Sequence, residues 1–86
     1  DADRIDNRPL REACERLVAE GASWSDLAIK CGHAKDNGRS GDTSWLRRKL
    51  GIKPHQNVPT LQTKIRYVDA ETIVYALDLD PHDIGI

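Results

Sequence analysis

Between residues 8 and 20 the apolar positions Leu10, Ala13, Cys14, Leu17 and Val18 recur at alternating spacings of three and four. That period lays one apolar stripe along an α-helix, while Arg11, Glu12, Glu15 and Arg16 fill the outer side. Pro9 suits a first helical turn, Asn7 is placed to cap it and Gly21 to stop it, so a helix is predicted from Arg8 to Glu20. Trp24, Leu27, Ala28 and Cys31 repeat the spacing in a second helix, capped by Ser23 or Ser25 and ended by Gly32. Asp26 in its first turn suits the helix dipole. A third helix is bounded by Asp42 as N-cap and Gly51 as the left-handed stop, with Leu46 and Leu50 one turn apart on the inner side. Its other side carries Ser44, Arg47 and Arg48, with Lys49 nearby. Asp69 then caps a helix whose stripe is Ala70, Ile73, Val74 and Leu77, and after Asp80-Pro81 a short turn lets Ile84 and Ile86 close over the core.

The connections read differently. Residues 33–41 contain Asp36, Asn37, Gly38, Ser40 and Gly41 and a single apolar residue, Ala34, which predicts a loop that is flexible when free. Pro54 and Pro59 break any helix after Gly51. Leu61, Thr63, Ile65 and Tyr67 then alternate with Gln62, Lys64 and Arg66, the period of an extended segment with one basic face. Residues 1–8 are polar and irregular and are expected to form a flexible lead-in.

Eighty-six residues support one core, so the chain is expected to be a single domain over residues 1–86. No apolar run approaches the roughly 20 residues of a membrane-spanning helix, and the acids Asp1, Asp3 and Asp6 are unlike a signal peptide; the expected location is cytoplasmic. Cys14 and Cys31 both fall on apolar helix sides and read as buried thiols acting as small hydrophobes. They lack the C-x-x-C spacing of a zinc site, and no metal or other cofactor is expected. The lack of methionine, initiator included, suggests a processed chain or one domain of a longer protein.

Charge changes the picture most. The net charge is −1, yet residues 1–29 hold four basic and seven acidic side chains, residues 30–66 nine basic and two acidic, and residues 67–86 five acidic and no basic ones. A cationic block of +7 therefore lies between acidic ends of −3 and −5. A solvated helix face normally mixes its signs, so a one-sign block spanning helix and loop favours a polyanionic partner. A short helix pinned by two leucines and showing cations outward is suited to a DNA groove.

The segments Trp24 to Gly32, Asp42 to Gly51 and Asp69 to Pro81 resemble, in order, the supporting helix, the recognition helix and the closing helix and turn of lambda-repressor and Cro-like helix-turn-helix domains. The style is similar to small regulators of actinobacteria and their phages. The resemblance implies an all-α fold, a compact domain of four to five helices, with a long loop between the two central helices and an extended segment before the last ones. The chain departs from the family in that loop, since three or four residues normally join the two helices. By the same resemblance Thr43, Ser44 and Arg47 would reach base edges in the major groove. Lys35, Arg39, Arg48, Lys49, Lys53, Lys64 and Arg66 would hold phosphates. The implied function is sequence-specific binding of double-stranded DNA by a transcriptional regulator or phage-type repressor, with a homodimer or further domains of a longer chain left open.

Two other readings fit the pattern. A winged-helix, excisionase-like architectural protein would show a hairpin over Val58 to Tyr67, and a protein-interaction or antirepressor module would set the basic stretch against an acidic surface. An enzyme is not expected: His33, His55 and His82 sit in loops or turns without a fixed acidic partner or nucleophile.

Overall fold

The computed structural model describes residues 3–35, 38–52 and 61–86. Along the chain run β1 (Arg4–Asp6), α1 (Arg8–Ala19), α2 (Trp24–Lys30), β2 (Ala34–Lys35), β3 (Ser40–Gly41), α3 (Thr43–Leu50), β4 (Lys64–Arg66), α4 (Tyr67–Ala76) and α5 (Pro81–Ile84). Each helix gives its apolar stripe to one core: Leu10 and Cys14 from α1, Leu27 and Ala28 from α2, Leu46 and Leu50 from α3, Ile73 and Val74 from α4, Ile84 from α5. Ile65 of β4 joins them, with Lys64 and Arg66 exposed on either side of it. The alternation in the sequence is thus one buried residue between two solvated cations.

The all-α expectation is overturned. Among the described residues five helices are joined by two small antiparallel sheets, β1 with β4 and β2 with β3. In the first sheet Ile5 lies opposite Ile65, Asp6 opposite Lys64 and Arg4 opposite Arg66. The ladder is extended by the Tyr67 N–H to the Asp3 carbonyl at 2.6 Å and the Asn7 N–H to the Thr63 carbonyl at 3.1 Å. The residues expected as a flexible lead-in are therefore a strand from Arg4 onward. Three residues with one apolar side chain among them carry too short an alternation to announce it.

The stretch expected to be a loop is also corrected. In the second sheet Ala34 faces Gly41 and Lys35 faces Ser40. Gly41 packs against α2 so closely that a Cβ there would overlap the Ser25 carbonyl and stand 2.7 Å from the Ala28 methyl. The Gly41 N–H donates to Ser25 Oγ at 2.7 Å. Close backbone approach is the reason this position is glycine.

α4 also differs from expectation at its start. It begins at Tyr67 with Arg66 as an N-cap that makes no side-chain bond, and Asp69 lies in the first turn. The predicted limits of α3 agree with what is observed: Asp42 caps it, and Gly51 ends it with φ at 74°.

The C-terminal end of α3 is completed from elsewhere in the chain. A helix leaves its last four carbonyls without intrahelical partners. Here the Arg47 carbonyl accepts from the Ile52 N–H at 2.9 Å and the Arg48 carbonyl from the Gly51 N–H at 3.3 Å. The Lys49 carbonyl accepts from Asn7 Nδ2 at 3.1 Å, and the Leu50 carbonyl from Arg11 Nη1 at 3.3 Å. The same Asn7 amide donates to the Gln62 carbonyl at 2.9 Å. Asn7 occupies the N-cap position of α1 but makes no side-chain cap bond there; it is the one buried polar side chain among the described residues.

Replacing Asn7 with alanine removes the donor from two carbonyls in a closed site. Asn7→Ala should lower unfolding stability by about 1–3 kcal/mol in urea titration. An unchanged midpoint would show that water satisfies both carbonyls.

Candidate nucleic-acid interface

α2 supplies the platform beneath α3. Its N-cap Ser23 accepts the Asp26 N–H at 3.0 Å, and Leu27 and Ala28 give its buried face. The backbone then turns at Gly32, and the His33 N–H bonds back to the Ala28 carbonyl at 3.0 Å. The hairpin of β2 and β3 returns the chain beside α2, closed by the Asp42 N–H donating to the His33 carbonyl at 2.7 Å. α3 starts there, with Asp42 Oδ1 accepting the Trp45 N–H at 3.1 Å.

At 100° per residue the eight positions of α3 divide by burial. Leu46 and Leu50 are inside, and Ser44 and Arg48 are exposed on the opposite ridge. Thr43 and Arg47 are half-buried on one flank, Trp45 and Lys49 on the other. The Arg48 Nε donates back to the Ser44 carbonyl at 3.4 Å, so the two ridge residues lie together.

The flanks are occupied by contacts within the protein. The Arg47 guanidinium carbon lies 5.7 Å from the centre of the Trp24 ring, within the range of a cation–π contact. Its Nε is buried without a hydrogen-bond partner among the described residues. On the other flank the Trp45 ring stacks on His33, centroids 3.5 Å apart and planes 13° from parallel. Lys49 Nζ is 3.0 Å from Asp69 Oδ2, an ionic contact without good hydrogen-bond alignment, with both side chains about three-quarters buried. This pair ties α3 to the first turn of α4.

The proposed contact residues are therefore distributed unevenly. Ser44 and Arg48 face outward, with Thr43 and Arg47 beside them on the flank toward Trp24. Lys35 and Arg39, in the hairpin, are exposed, and Lys35 Nζ lies 3.7 Å from Asp42 Oδ1. Lys64 and Arg66 are exposed on β4, while Lys49 is engaged by Asp69. Lys53 lies outside the described residues, as does the part of the suggested Val58 to Tyr67 hairpin before Leu61. The described part, β4, pairs with β1.

Three residues have roles other than those expected from the sequence. Arg4 stands opposite Arg66 on the exposed face of the ribbon, a like-charge cross-strand pair that an anion would relieve. Arg11, read as a solvated outer charge, reaches the last carbonyl of α3. Asp69, read as a cap, holds Lys49.

The Trp45 N–H beside the Asp42 carboxyl holds it below the ordinary carboxylate range, assisted by the charges of Lys35 and Arg48. Burial pushes the Cys14 thiol up to about 12, with the neighbouring Cys31 adding to the effect, and burial raises Cys31 to about 11. Both therefore stay protonated at neutral pH and lack the thiolate needed for nucleophilic attack.

No family model, curated protein or solved structure matches the chain. Among the described residues no three His, Cys, Asp or Glu side chains are grouped to hold a metal ion, and no helix is long and apolar enough to cross a membrane.

Because the folded state lowers the Asp42 pKa, its contribution is present above the unfolded value and is lost as pH falls through the folded one. Stability should thus decline below about pH 4. Asparagine keeps an oxygen acceptor at the cap. Asp42→Asn should flatten the acid limb of a stability-against-pH curve while leaving the cap in place; identical acid limbs in the two proteins would contradict this role.

Proposed function

We propose that the chain is a helix-turn-helix protein that binds double-stranded DNA with α3 in the major groove, acting as a cytoplasmic transcriptional regulator of the repressor type. The observation that supports this best is the outward ridge of α3. Ser44 and Arg48 are exposed on a helix whose inner side is pinned by Leu46 and Leu50 and whose terminal polar groups are held by the rest of the protein. A rigid helix with a hydroxyl and a guanidinium outward can enter a groove with little rearrangement, and arginine can donate two hydrogen bonds to a guanine edge. The order of α2, α3 and α4 also fits the resemblance to lambda-repressor and Cro-like domains.

In this reading Thr43, Ser44 and Arg48 approach the bases. Arg47, half-buried beside Trp24, supports the flank of the ridge. Lys35 and Arg39 in the hairpin and Lys64 and Arg66 in the ribbon hold phosphates, joined by Arg4. Lys49 acts chiefly through Asp69, keeping α3 and α4 in register. Affinity then arises from replaced counterions and falls steeply with salt.

Fluorescence anisotropy against random-sequence duplex, followed by selection from a random pool, tests the proposal. Arg48→Ala should leave the melting temperature unchanged, because its side chain is exposed. It should reduce the slope of log affinity on log salt by about one if it meets a phosphate, or cost about 1–3 kcal/mol of base discrimination if it reads a base. Arg47→Ala should lower binding and melting temperature together. Absence of duplex binding at low salt would favour the protein-interaction reading instead.

A further inference from the structure

The exposed face of the β1–β4 ribbon carries two cross-strand pairs of opposite character. Asp6 lies opposite Lys64, while Arg4 lies opposite Arg66. Asp6 is already engaged, since its Oδ1 accepts the Arg8 N–H at 2.8 Å. Among the described residues neither Arg4 nor Arg66 has an ion-pair partner. The ladder fixes how close the two arginines come. The Tyr67 N–H bonds to the Asp3 carbonyl and the Asn7 N–H to the Thr63 carbonyl, so Asp3–Tyr67 and Asn7–Thr63 are hydrogen-bonded pairs. Such pairs alternate along an antiparallel ladder with non-hydrogen-bonded ones, whose side chains are closer, and by the register Arg4–Arg66 is of the closer kind. Like charges placed directly opposite each other weaken a sheet.

We propose that Arg4 and Arg66 form a clamp for one phosphate group. Two guanidinium groups on Cβ atoms about 5 Å apart can each donate paired hydrogen bonds to the oxygens of a single phosphate. The bound anion turns the repulsion between the strands into two attractions. Lys64, two residues along β4 on the same face, is offset by Asp6 opposite it, so the uncompensated charge is concentrated at the arginine pair. The recognised chemistry is the phosphate group; that this phosphate belongs to a duplex backbone rests on the proposed DNA binding, whereas the clamp itself does not.

The clamp is coupled to α3. β1 ends at Asp6, and the next residue, Asn7, donates to the Lys49 carbonyl at 3.1 Å and to the Gln62 carbonyl at 2.9 Å. A phosphate that fastens β1 to β4 therefore also holds Asn7 against the last turn of α3. Because the site exists only when the two strands are paired, binding stabilises the paired state by mass action.

Amide hydrogen exchange of the full chain, followed by NMR with sodium pyrophosphate as the probe and sodium chloride of equal ionic strength as the control, tests the clamp. At about ten times its dissociation constant, pyrophosphate should slow exchange of the Tyr67 and Asn7 N–H groups about tenfold. Arg4→Gln should abolish that protection. In phosphate-free buffer of low salt the same variant should melt at a higher temperature, because the like-charge pair is gone. Equal exchange in pyrophosphate and chloride, undiminished protection in the Arg4→Gln chain, or a lower melting temperature of that chain without phosphate would overturn the clamp. A random-sequence duplex used in place of pyrophosphate identifies the source. Protection of the same two N–H groups, lost in Arg4→Gln, assigns the clamp to the DNA backbone; protection by pyrophosphate alone supports a clamp for free phosphate, and absence of duplex binding in anisotropy then removes only the DNA reading.

Discussion

The C-terminal end of α3 depends on two side chains from the start of α1. Backbone N–H groups satisfy the Arg47 and Arg48 carbonyls, but those of Lys49 and Leu50 take their donors from Asn7 and Arg11. The Arg11 cation is also well placed at the negative end of the helix dipole. At the other end, the Asp42 carboxylate meets the positive end of the dipole and accepts the Trp45 N–H. With Leu46 and Leu50 wholly buried, an eight-residue helix that would be marginal in isolation is fixed in direction and rotation. Its rotation decides that Ser44 and Arg48 face outward.

The same geometry makes the cationic middle of the chain less uniform than a count of charges suggests. Lys49 is paired with Asp69, Lys35 approaches Asp42, and Arg47 lies over Trp24. These contacts differ in strength. The Lys35 pair is exposed, and such pairs contribute little, so a phosphate competes with Asp42 on easy terms. The Lys49 pair is largely buried and joins two helices, so removing one partner would strand a charge. Some of the basic residues are therefore held by contacts within the protein, while others remain exposed.

Much of this was legible in the chain, and the rest was hidden for identifiable reasons. The apolar spacings placed α1, α2 and α3 to within a residue or two, because their periodic stripes coincide with capping residues such as Ser23 and Asp42. The small sheets were not legible. β1 is held by a partner about sixty residues away, and β3 by a glycine pressed on α2, and neither leaves a local hydrophobic period. Asn7 beside Pro9 has the sequence appearance of a helix cap, although its amide serves a different helix. On α3 the flank residues Arg47 and Lys49 look outward in sequence because cations usually are; only their contacts with Trp24 and Asp69 show them to be half-buried.

The proposed DNA binding requires that the one outward ridge of α3, flanked by the β2–β3 hairpin, meet a duplex. Backbone amide shifts followed by NMR during titration with duplex DNA test this most directly. The largest changes are expected at Thr43, Ser44 and Arg48, with smaller ones at Lys35 and Arg39, and little change along α5. Changes centred on α5 and the C-terminal end of α4, or a ridge unaffected by saturating DNA, would contradict it.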